Sequence, residues 1–135
     1  MTVSTLPLLR FPLVAGALSM LVAVMAGAFG AHGLRALVSA RGLEVFQTAV
    51  TYQVYHSLAL LVCALLLGFG CRRRWLQVAA GFFLAGILLF SGSLYLLVLT
   101  DLPGLGPVTP LGGVCFMVGW LVLAIAGIRR TPVET

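Results

Sequence analysis

Leu76–Leu99 reads LQVAAGFFLAGILLFSGSLYLLVL, a run of 24 residues without a charge. Coiled as a helix at 1.5 Å per residue, it is about 36 Å long, enough to cross roughly 30 Å of hydrocarbon. Three further apolar runs accompany it: Phe11–Phe29, Tyr52–Phe69 and Leu111–Ile128. With their flanks they predict spans over about residues 11–31, 46–69, 75–99 and 109–128. The expected fold is all-α: an integral membrane four-helix bundle, with residues 1–135 as a single four-span membrane domain.

Composition agrees. Of the 135 residues, 61% are hydrophobic and 8% charged. A water-soluble domain of that size cannot hide so much apolar surface, whereas lipid solvates it. The net charge of +5 comes from eight arginines and no lysine. With four crossings, Arg10, Arg72, Arg73, Arg74, Arg129 and Arg130 share one face, and Arg35 and Arg41 share the other. Basic residues collect on the cytoplasmic side, so both termini are expected there, in a multi-pass protein of the inner (plasma) membrane. Arginines at span ends serve orientation and headgroup contact, and no nucleic-acid partner is expected.

The first span ends in Ala26-Gly27-Ala28, which resembles a signal-peptide cleavage site. Ala15, Ser19, Ala23, Gly27 and Ala31 argue for retention, since residues four apart form a stripe of small side chains where helices approach closely. Gly81 and Ala85 form a second small pair, and Gly112-Gly113 a third packing position. Residues from His32 to about Val45 predict a short interfacial helix between spans one and two, with Ser39 as N-cap of the helix that leads into span two. The three cysteines, Cys63, Cys71 and Cys115, have no metal or CxxC spacing.

Polar residues inside spans are costly, and here they gather at one depth. His32 closes span one; Tyr52, Gln53 and His56 open span two; Ser91, Ser93 and Tyr95 lie in the outer half of span three; Thr109 opens span four. One reading is a pocket for a small polar ligand or a lipid headgroup. The other is a set of interhelical hydrogen bonds that lock the bundle. A third, haem or metal ligation by His32 and His56, has no further ligand in support. No carboxylate lies within a span, and no phosphate loop, nucleophile elbow or HExxH occurs. No internal repeat suggests a transporter. No cofactor and no enzymatic activity are expected.

Gly27-Ala28-Phe29-Gly30-Ala31-His32-Gly33-Leu34, Tyr52-Gln53-Val54-Tyr55-His56-Ser57-Leu58-Ala59-Leu60, Phe90-Ser91-Gly92-Ser93-Leu94-Tyr95, Thr109-Pro110-Leu111-Gly112-Gly113 and Gly119-Trp120 occur in this order. In them the chain resembles the small four-span membrane proteins of the YgdD-like and YwdK-like group, related to eukaryotic transmembrane protein 256. The resemblance implies an inner-membrane protein with an uncleaved first span, and supplies no reaction. Where that group usually carries lysine or another polar residue, this chain has Arg35 and Arg41. The leading functional expectation is a non-enzymatic accessory or scaffold subunit, joined through its small-residue faces to a membrane-protein partner or a second copy. The alternative is a lipid or small-molecule binding or transport protein. Membrane lipids are partners in either case.

Overall fold

The computed structural model describes residues 6–128. Arg129 and Arg130, and with them part of the charge asymmetry, lie outside the described residues. Helix α1 covers Leu6–His32, α2 Ala40–Gly68, α3 Arg73–Gly86, α4 Gly92–Thr100 and α5 Val108–Ile128. α3 and α4 are joined by a single wide π turn at Ile87–Ser91, so they form one crossing. Four helical units are therefore long and apolar enough to span a membrane: Arg10–His32, Ala40–Gly68, Arg73–Thr100 and Pro103–Ile128. Among the described residues there is no β-strand.

Local chemistry sets the ends. The Ser39 hydroxyl accepts the Gly42 N–H at 3.0 Å, capping α2 as its position suggested. The expected interfacial helix is a single 3₁₀ turn, Leu34–Ala36, because α1 runs on to His32 and α2 already starts at Ala40. α2 closes at Gly70, whose φ of +76° lets its N–H reach Leu67 O while the Cys71 N–H reaches Leu66 O. Glycine takes that left-handed position without a Cβ clash, and the basic turn Arg72–Arg74 comes directly after it.

α2 is the most buried span and α1 the least. α1 packs along α2, α3 along α5, and α2 touches the third crossing through α3, the π turn and α4. Towards the Arg72–Arg74 end the core is apolar, built from Leu60 and Cys63 of α2, Ala79, Ala80 and Phe83 of α3, and Phe116 and Val122 of α5.

The small stripe of α1 meets α2 over only part of its length. Ser19 and Ala23 are buried, Ala15 and Gly27 half-buried, and Ala31 exposed. Four residues advance a helix about 40° beyond a full turn, so a strict spacing of four rotates out of a straight interface. The interface instead follows Pro12, Gly16, Ser19, Ala23 and Gly30, steps of four, three, four and seven that stay on one side. At Gly16 a Cβ would stand 3.0 Å from the Ser57 carbonyl, and at Gly30 3.2 Å from the Phe46 ring.

The other small positions divide. Gly112 is buried, and a Cβ there would lie 2.3 Å from the Phe90 backbone nitrogen. Gly113 is half-buried. Gly81 is exposed with no atom in reach, and Ala85 is half-buried, so this pair faces outward at its glycine.

Candidate functional site

Most of the intramembrane polar groups are hydrogen-bonded across helices. Gln53 of α2 donates from Nε2 to the Ser19 carbonyl of α1 at 2.9 Å and accepts the Tyr95 hydroxyl of α4 on Oε1 at 2.7 Å. The Ser57 and Ser19 hydroxyls are 2.7 Å apart. Ser57 Oγ also donates back to the Gln53 carbonyl, four residues earlier. Gln53 thus ties α1, α2 and α4 at one level. Ser91 of the π turn donates to the Ala49 carbonyl of α2 at 2.8 Å, and Ser93 meets Thr109 of α5 at 2.7 Å. No buried side-chain N or O among the described residues lacks a partner. In lipid such bonds average roughly 0.6 kcal/mol each, and together they fix the register of all four crossings.

His56 has its own pair of bonds. Its Nδ1 is 2.7 Å from the Tyr52 carbonyl, which only accepts, so Nδ1 carries the proton. Nε2 is then the acceptor for the Trp120 indole N–H of α5 at 3.1 Å. Both ring nitrogens are engaged, which leaves neither free for a metal. The imidazole lies flat on Phe116, with ring centroids 3.4 Å apart and planes 7° from parallel. His32 stands apart, exposed at the end of α1. Among the described residues no group of three His, Cys, Asp or Glu side chains is disposed to hold a metal.

The eight sequence candidates therefore do not line one polar pocket. Gln53 with Tyr95, Ser91, and Ser93 with Thr109 are interhelical ties, and His32 is remote. Tyr52 and His56 instead line an apolar groove of about 740 Å³ between α2 and α5. Tyr55, Val62, Phe90, Pro110, Gly113, Phe116 and Trp120 also face it. Tyr52 lies against Phe90 with centroids 4.6 Å apart, and Phe83 meets Trp120 edge-on at 5.0 Å. The groove runs from the start of α5 at Pro110 down to Trp120 and Val62, near mid-span. Its deep end offers only satisfied polar groups. Tyr52 and Tyr55 are exposed along it, and neither hydroxyl has a hydrogen bond among the described residues.

Sequence reasoning missed Ser57, Ser19 as a hydrogen-bonding group, and the Phe90, Phe116 and Trp120 walls. Ser57 was legible, standing four residues after Gln53 on the same helix face. The aromatic walls carried no such signal, since single aromatics in apolar spans look alike whichever neighbour they meet.

The family model described as protein of unknown function (DUF423) matches residues 26–113, which include α2, the third crossing and the start of α5. The chain belongs to the DUF423 family. It is 48% identical over 118 residues to a UPF0382 membrane protein of Staphylococcus aureus, covering 87% of this chain and 94% of that one. It is 42% identical over 117 residues to the UPF0382 membrane protein YwdK of Bacillus subtilis, covering 87% and 95%. A Staphylococcus epidermidis relative is 47% identical over 119 residues, covering 87% and 94%. No solved structure matches. The DUF423 chain is thus a multi-pass membrane protein of a family without an assigned function, as the resemblance of its motifs implied.

Proposed function

We propose that this protein acts by binding rather than catalysis, and that it holds an amphiphilic lipid in the α2–α5 groove. The observation that carries this reading is a groove of about 740 Å³ walled by aromatic rings, in which His56 is satisfied and the exposed Tyr52 and Tyr55 hydroxyls are unengaged. Satisfied groups offer nothing to a buried headgroup but accept a hydrocarbon or isoprenoid chain. The Tyr52 and Tyr55 hydroxyls are then placed for an ester or carbonyl oxygen at the polar end of the same molecule. The protein sits in the plasma membrane, with the Arg72–Arg74 turn and both termini on the cytoplasmic side.

Gly113 borders the groove, and its Cβ position is 3.9 Å from Phe90, so a larger side chain enters open space. Native mass spectrometry of protein extracted with its lipids should show at least about a fivefold loss of retained lipid in Gly113→Leu, equivalent to about 1 kcal/mol. Gly81→Leu, on an exposed position outside the groove, serves as the control. Equal retention in both variants would reduce the groove to ordinary annular lipid.

A second reading, the accessory or scaffold subunit, keeps one specific support. The Gly81 end of the Gly81–Ala85 pair faces outward with no atom within 4 Å, open to the backbone of a neighbouring helix. The α1 stripe no longer supports it, because its buried members are spent on α2. Crosslinking through this face in native membranes should trap a defined neighbour, and its absence would remove the reading.

A further inference from the structure

A second cleft, sharing no lining residue with the groove, lies at the face opposite the Arg72–Arg74 turn. It has a volume of about 510 Å³ and sits between the first turn of α2 and the last turn of α4. Ser39, Arg41 and Gly42 form one wall and Leu97, Val98 and Asp101 the other. Its electrostatics are unusual. Arg41 stands at a helix N-terminus, where the backbone already carries partial positive charge. Asp101 caps the C-terminus of α4, where the carbonyls carry partial negative charge. Each charge thus occupies the helix end of its own sign, the arrangement that costs stability. The two do not neutralise each other, because the ion pair found among the described residues joins Arg41 to Glu44 at 3.2 Å, both well exposed. That contact uses one of the five guanidinium N–H donors. The Asp101 carboxylate has no partner among the described residues.

We propose that this cleft binds the headgroup of a zwitterionic phospholipid with a primary ammonium, of the phosphatidylethanolamine type. The phosphate meets Arg41 and the start of α2, and the ammonium meets Asp101 and the last carbonyls of α4. One ligand relieves both misplaced charges. The apolar side chains in the cleft, Leu97 and Val98 with Leu37 and Val45, receive the glycerol and the first carbons of the chains. A primary ammonium has N–H groups to donate to these acceptors, and a quaternary one has none.

The test uses the full-length purified protein and native mass spectrometry with phosphatidylethanolamine, phosphatidylcholine and phosphatidylglycerol of identical chains. Phosphatidylethanolamine should be retained about tenfold over both others, the scale of one charge-assisted contact. Asp101→Asn should abolish that advantage, and asparagine tolerates the left-handed backbone of Asp101, with φ of +53°, so the fold is kept. Arg41→Gln should weaken retention of phosphatidylethanolamine. Equal retention of the three lipids, or an undiminished preference in Asp101→Asn, would overturn the proposal. Glycerophosphoethanolamine, the headgroup without chains, should fail to compete. Competition as strong as the lipid's would replace the membrane lipid with a soluble phosphoethanolamine ester and so overturn the assignment. The groove variant Gly113→Leu should leave the preference intact, which separates this site from the one above.

Discussion

At the scale of single residues, neighbouring space rather than residue type decides what a small side chain does. Gly81 and Gly112 look alike in the sequence, both small positions suited to close helix contact. In the structure Gly112 meets the backbone of Phe90 and Gly81 meets nothing. Gly112→Ala should therefore destabilise the protein by about 1–3 kcal/mol, because a methyl at 2.3 Å from a backbone atom forces α5 away from the π turn. Gly81→Ala should be neutral or stabilising by up to about 1 kcal/mol through helix propensity. Thermal unfolding in detergent measures both, and similar losses at the two positions would refute the packing described. His56 makes the same point. The sequence placed it correctly among the intramembrane polar groups, but its partner Trp120 is 64 residues away, and no spacing rule connects them.

At the scale of elements, lengths and order were legible because each run had one dominant physical cause, its apolar length. The four expected spans overlap the four helical units long and apolar enough to cross, which start one to six residues earlier and end within one residue of the expected positions. The π turn was not legible. Ile87–Ser91 contains nothing that favours a wide turn locally; it occurs where Phe90 meets Gly112 at backbone distance. In a regular α-helix one extra residue would turn everything beyond it by about 100°, and the wide turn takes up that residue instead. Taking it up keeps α4 in register with its neighbours, with Tyr95 at Gln53 and Ser93 at Thr109. Deleting Leu88, which is 65% exposed, should return the turn to α geometry and keep both contacts. The unfolding midpoint should then fall less than in the double variant Tyr95→Phe with Ser93→Ala. An equal or larger fall would show that the wide turn does not take up an extra residue.

At the scale of the whole molecule, the bundle separates its functions by depth. The half nearer the Arg72–Arg74 turn is held by apolar packing around Phe83, and the opposite half by the Gln53, Ser91 and Ser93 bonds. The convergence of polar residues at one depth was readable from the sequence. Their use was not, since a hydrogen-bonding tie and a ligand contact require the same residue types. What distinguishes them is whether each donor already has an acceptor, and that appears only once the helices are assembled. The groove and the charged cleft both belong to the half opposite the arginine turn or open towards it. Their roles therefore depend on the sidedness of the fold.

The proposed sidedness puts Arg72–Arg74 in the cytoplasm and the connections at Leu37 and Gly104 outside. Labelling with a membrane-impermeant maleimide in intact cells tests it directly, using native Cys71 and, in a Cys71→Ser background, Leu37→Cys and Gly104→Cys. Positions 37 and 104 should be labelled from outside, and Cys71 should react only after the membrane is opened. Labelling of Cys71 in intact cells, or of only one of the two outer positions, would contradict the four-span topology on which both proposed sites depend.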